Sequence, residues 1–178
     1  MCEGIAAELD GIDLGDIRLN QRSQQIIDSL SANPEASINA ACDGWNETFA
    51  AYRFFDHKSI QPEDILKPHT EATQRRIQEQ PVVLIAQDTT ELDYTDHPPA
   101  DARCLNTKDR FGLYDHTHLA VTPGGLSLGV VGVEYFDRDE EGLGKSKERS
   151  KLPIEEKESL RWLTGYRLAG EISRDCPE

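Results

Sequence analysis

The stretch Pro81-Val82-Val83-Leu84-Ile85-Ala86-Gln87-Asp88-Thr89-Thr90 decides how the chain is read. Five apolar residues, three of them β-branched, run into a polar Gln-Asp-Thr-Thr. Such a run predicts a strand buried on both faces. Pro81 marks its first position, where a missing N–H is tolerated. Asp88 then falls at the strand's carboxyl end, the place where open α/β sheets gather ligands. A carboxylate held there suits a hard cation such as Mg²⁺. It serves equally well as a cap for the turn after the strand, and position alone leaves both readings open.

Upstream of this strand the chain reads as helical. Asp16 is a good N-cap for a helix from Ile17 to Leu30. Leu19, Ile26, Ile27 and Leu30 share one face of it with Ser23, and Arg18, Arg22 and Gln25 recur at i, i+4, i+7 on another. That second face is either solvated or set against phosphates. Asn33-Pro34 ends the helix. Ser37 and Asn46 are candidate caps for two further helices, one short (Ile38 to Cys42) and one with Phe49, Tyr52 and Phe55 on its aromatic side. Aromatics at this spacing are expected in a core. Arg53, among them, reaches a phosphate or lies along the domain's own surface. Three short helices with tight turns make a small domain of the kind that enters DNA grooves. Pro62-Glu63-Asp64 opens another helix, which Pro68 is expected to break or restart, and polar residues 69–80 form a connector.

Downstream, Glu91 to Asp96 alternates weakly and 96–110 is loop-like. Residues 116–122 and 126–136 predict two strands joined at Pro123-Gly124-Gly125, the clearest hairpin signal in the chain. Charged, glycine-containing residues 137–150 are expected to be mobile. Pro153-Ile154-Glu155-Glu156 opens a last helix with Leu160, Leu163, Tyr166 and Ala169 on one face and Trp162 beside it. No strand follows this helix, so the Asp88 strand is expected at an open sheet edge, an aggregation hazard where it is apolar.

The 178 residues suffice for one domain, or for a small one and part of a larger one. A balance of 33 acidic to 19 basic residues gives −14, an awkward sign for a nucleic-acid binder, because phosphate affinity comes largely from Lys and Arg. The charge is uneven, however. Acids crowd the start and the segments 91–101 and 134–158, whereas Arg18, Arg22, Arg53, Arg75 and Arg76 lie in the more neutral first part. Cys2, Cys42, Cys104 and Cys176 form no CxxC pair, which points to free cytosolic thiols rather than structural zinc. No apolar run approaches the ~20 residues of a membrane span, and the acidic N-terminus is unlike a signal peptide. The expectation is a soluble cytoplasmic protein without a membrane partner.

Four segments then stand together in order: Leu14-Gly15-Asp16-Ile17-Arg18, Ala51-Tyr52-Arg53-Phe54-Phe55, Gln87-Asp88-Thr89-Thr90, and Glu156-Lys157-Glu158-Ser159 followed by Trp162-Leu163. Over roughly residues 10–172 they resemble the bacterial DDE transposases of the insertion-sequence type that includes the transposon-five transposase. Each motif is weak alone; their common order makes the resemblance specific. It implies an α+β chain: a small all-helical DNA-binding domain (1–68), a connector helix (69–80) and the N-terminal part of an RNase H-like catalytic domain (81–178). It implies that Asp88 is the first catalytic Asp and a ligand of two Mg²⁺ ions. One ion activates a water or a 3′-hydroxyl and the other stabilises the leaving oxygen. It places Arg18, Arg22 and Arg53 among the contacts to double-stranded DNA at transposon ends, and matches His116 to a histidine of the second strand with a structural role.

Three departures limit what the resemblance implies. Leu19 stands where a second arginine commonly follows the first. The family's second Asp and its Glu fall beyond this chain. Asp175 is no substitute, because no apolar strand leads into Ser173-Arg174-Asp175-Cys176-Pro177, and Glu156 and Glu158 are assigned to a helix face. The expectation is therefore the N-terminal portion of a cut-and-paste DNA transposase that binds DNA but carries out no strand transfer and holds no metal tightly by itself. Two other readings remain. One is a non-enzymatic DNA-binding or inhibitory remnant that occupies transposon ends, or assembles with itself or with a full-length transposase. The other is a protein-interaction module using the acidic surface.

Overall fold

Asp16 begins the first long helix as a side-chain cap. Its backbone is extended, and its Oδ1 accepts the Arg18 N–H at 2.8 Å. The computed structural model describes residues 5–138 and 151–174, and the chain divides into two units, Met1–Ala72 and Thr73–Glu178. The expected mobile segment lies, from residue 139 onward, outside the described residues, as do Cys2, Asp175 and Cys176.

In the first unit a 3₁₀ turn, Ile5–Leu9, precedes α1 (Ile17–Ala32), α2 (Ile38–Ala41) and α3 (Trp45–Phe55). Ser37 stands at the cap of α2 without donating or accepting a cap hydrogen bond. The cap of α3 is Gly44, not Asn46; its φ of +87° favours a residue without Cβ. Glu47 in the first turn reaches back to accept the Asp43 N–H at 2.9 Å. The core gathers Ile26, Ala51 and Phe54, with Leu14, Leu19, Leu30, Ile38, Cys42, Ile60 and Ile65 packed around them. Two expectations are corrected here. α3 buries Thr48, Ala51 and Phe54, so the Phe49, Tyr52 and Phe55 side faces outward, each about half exposed. Pro68 does not break its helix: α4 (Pro62–Gln78) runs through it.

The second unit holds an antiparallel sheet of β1 (Leu84–Asp93), β2 (Arg103–Cys104), β3 (Phe111–Val121) and β4 (Ser127–Phe136), then a 3₁₀ turn (Ile154–Glu156) and α5 (Leu160–Arg174). β3 is central. β1 pairs with it along its whole length, from Leu84↔Val121 to Asp93↔Gly112, and β2 and β4 pair on its other side. The hairpin of β3 and β4 turns where expected, with Gly125 at φ +86°. β3 alternates strictly, burying Tyr114, His116, His118 and Ala120. Ala120 joins Ile77, Leu128, Val131 and Ile172 in the core, with Val83, Ile85 and Leu168 packed against them.

Three further readings change. β1 is not buried on both faces, since Leu84 is 53 % exposed. Nor does it end at Asp88: ladder pairing with β3 carries the polar residues five positions further, and Arg110 pins the far end by pairing with Glu91 at 2.9 Å and Asp93 at 2.7 Å. The last helix starts at Leu160, after the 3₁₀ turn, and buries Gly165 and Ile172, while Tyr166 is 75 % exposed. Glu156 sits in that turn and Glu158 just before α5, where it takes a two-pronged contact from Arg138 at 2.7 Å per prong.

Candidate nucleic-acid interface and the Asp88 strand

The three arginines singled out from the sequence come together. Arg18 and Arg22 on α1 and Arg53 on α3 line one concavity of about 410 Å³, with Asp16, Leu19, Ala50, Phe54 and His57. The i, i+4 spacing sets Arg18 and Arg22 on one side of α1, and the buried Ala51–Phe54 face of α3 turns Arg53 toward them. Arg18 is held by Asp16: its Nε and Nη2 donate to the carboxylate, the shortest contact being 2.6 Å. That guanidinium and the Arg18 N–H hold the Asp16 pKa down to about 2, so the pair stays charged throughout the neutral range. Arg22 and Arg53 form no ion pair among the described residues. The cleft therefore offers two guanidinium groups without a carboxylate partner among the described residues, a third that is internally neutralised, and His57. Guanidinium forks suit phosphate oxygens. Sequence reading missed His57, which stands just past the end of α3, four residues after Arg53.

Asp88 lies mid-strand in β1, opposite Thr117 of β3, with an exposed side chain. Direct partners share a face, so Asp88 stands with Leu84, Ala86 and Thr90 on the sheet face opposite α5. Asp115, diagonal to it there, accepts the Thr117 hydroxyl at 2.7 Å. No group of three or more His, Cys, Asp or Glu among the described residues is placed to hold a metal ion. Asp88 supplies a single carboxylate, and these residues by themselves do not fit a two-metal centre.

Beneath α5 the neighbouring residue, Gln87, belongs to a buried polar network. His116 is fully buried, shares a 2.7 Å hydrogen bond with Thr89 Oγ1, and faces Gln87 Oε1 through Nε2 at 3.4 Å. His118 packs edge-on against His116 at 5.0 Å, Trp162 lies against the other side of His116 at 5.2 Å, and Glu134 Oε1 lies 3.8 Å from His118 Nε2. The side chains on either side of Asp88, Gln87 and Thr89, thus both meet His116. The sequence signal for this network was present as the alternation His116-Thr117-His118, but neither Gln87 nor Glu134 could be placed without the register.

Burial, and then His116, lower the His118 pKa from its ordinary value, and Glu134 only partly opposes them. The folded chain thus binds fewer protons than the unfolded one. The associated stability is complete above about pH 6.5 and is lost as pH falls through the lowered folded value. Denaturation followed by circular dichroism should show this acid-side slope below pH 6.5, shallower in His118→Gln; an unchanged slope would remove His118 as its source.

No helix among the described residues is long and apolar enough to cross a membrane. No curated protein matches the chain. Residues 1–60, which carry the arginine concavity, match the family model described as transposase DNA-binding, and this similarity supports a transposase N-terminal domain with a DNA-binding role.

Proposed function

We propose that the chain works in cut-and-paste DNA transposition of the DDE type, its first unit gripping double-stranded transposon-end DNA. The observation that carries this reading is the convergence of Arg18, Arg22 and Arg53 on one concavity inside the segment similar to transposase DNA-binding domains. The second unit, in this reading, is part of an RNase H-like catalytic fold. Its support is the run of three long antiparallel strands followed by a helix packed on one face, with Asp88 in the first strand. Asp88 would then supply one carboxylate to a Mg²⁺ ion, a site that the described residues by themselves do not complete. Assembly with a second copy or a full-length transposase belongs to the same proposal.

The acidic balance of −14 favours a second reading, a protein-interaction module. Salt separates the two. Three phosphate contacts give a log–log slope of about −2.7, hence roughly 40-fold weaker binding between about 50 and 200 mM salt. A gel-shift titration against the inverted repeats flanking the gene, at both salts and with scrambled DNA beside it, should show specific, salt-sensitive binding. Absence of binding to either DNA would discard the DNA reading in favour of the protein-interaction one.

A further inference from the structure

An aromatic side chain that serves its own core is covered, as Phe54 is at 4 % exposure. On the outer face of α3 the reverse holds: Trp45 is 76 % exposed, Phe49 51 % and Tyr52 49 %. They recur at i, i+4 and i+7, one stripe of the helix. The Trp45 and Phe49 rings lie nearly parallel, centroids 6.2 Å apart and planes 18° apart. Arg53, one turn on, sets its guanidinium 5.7 Å from the Phe49 ring centroid. The same Arg53 lines the concavity with Arg18 and Arg22. An exposed stack of aromatic rings and a cluster of cations are thus contiguous, sharing one side chain.

We propose that the Trp45–Phe49 pair, continued by Arg53, is a stacking platform for an unpaired DNA base whose flanking phosphate sits in the arginine concavity. The inference rests on the DNA-binding reading and goes further, because it names the form of DNA preferred. Charge complementarity selects the occupant: phosphate meets the guanidinium groups while a base covers the rings. Every base has a π-face, so such platforms are tolerant of sequence. In a fully paired duplex those faces are hidden within the stack, so a base must be unpaired or extruded to use them.

The test uses the full chain carrying Trp162→Phe, which leaves Trp45 as the remaining tryptophan of two. Anisotropy titrations compare a fully paired duplex with the same duplex holding one bulged thymine, and Trp45 emission is read alongside. The bulged DNA should bind about tenfold more tightly and quench Trp45. Trp45→Leu, at a site too exposed to matter for folding, should abolish that preference and leave paired-duplex affinity within about twofold; Arg53→Ala should weaken both DNAs. Equal affinity for the two DNAs with unquenched Trp45 would overturn the platform and leave the DNA reading standing. Failure to bind either DNA would overturn both. Should Trp45→Leu abolish self-association in sedimentation while leaving DNA preference untouched, the stripe belongs to a second copy of the chain and the proposal falls.

Discussion

Replacing Arg18 and Arg53 together by alanine should weaken duplex DNA binding on the order of a hundredfold at low salt. Hydrogen bonds to charged groups contribute about 1.5–3 kcal/mol each, and the paired variant removes two of the three guanidinium groups in the concavity. The log–log salt slope should flatten by about 1 to 2 at the same time, Arg53 giving the larger share. The shares are unequal. Arg18 is already neutralised by Asp16 at 2.6 Å, so a phosphate must compete with an internal carboxylate there. Arg53 carries no such partner among the described residues, and Arg53→Ala alone should account for most of the loss. Neither side chain is buried, so circular dichroism should show an intact fold. A paired variant that binds with unchanged affinity and slope would move the DNA face elsewhere.

The second large effect is on stability, and its sign runs against helix propensity. Alanine is favoured over glycine in a helix interior by about 1 kcal/mol. At Gly165 that gain is overwhelmed. A Cβ there would lie 2.5 Å from both Cε1 and Nδ1 of His118 and closer still to Gln87 Oε1. His118 is buried and Gln87 is engaged by His116, so neither has an easy way to retreat. Overpacking costs about 1–3 kcal/mol; set against the helix-propensity gain, Gly165→Ala should destabilise by about 1 kcal/mol net. Gly170, on the same helix with nothing within 4 Å of the added carbon, is the matched control: Gly170→Ala should stabilise by up to about 1 kcal/mol. Urea unfolding read by Trp162 fluorescence in a Trp45→Leu background measures both. Parallel stabilisation by the two substitutions would mean that α5 does not approach the sheet at Gly165.

That glycine also explains what the face of α5 could not tell. Leu160, Leu163, Tyr166 and Ala169 share a stripe in the sequence, and a stripe is read from residue type. The buried line instead follows Gly165, Leu168 and Ile172, because closest approach to a polar His–Gln surface is set by the absence of a side chain. α3 failed in the same way: its core face takes Thr48 and Ala51, which composition ranks below the aromatics beside them. What was legible was local. The Asp16 cap, the Ser23–Ile26 face of α1 and the β3–β4 hairpin each depend on neighbours a few residues apart. The arginine concavity was legible only in part, because periodicity joined Arg18 to Arg22 while Arg53 came from resemblance. Asp88 was located in a strand but given its end, because a polar run was read as a stop. Ladder hydrogen bonds are indifferent to side-chain polarity where a face is open to water.

The uncovered side of β1 has a bearing on how the protein behaves in bulk. Its outer row of peptide groups has no strand beside it among the described residues, and Val82 and Leu84 stand more than half exposed where it begins. Such a row is a place where a further strand can add, and the charges along β1 itself, Asp88, Glu91 and Asp93, oppose addition of a second copy. Repulsion between molecules that each carry −14 acts in the same direction. Self-association through this edge is therefore expected to grow as acid or salt weakens that repulsion.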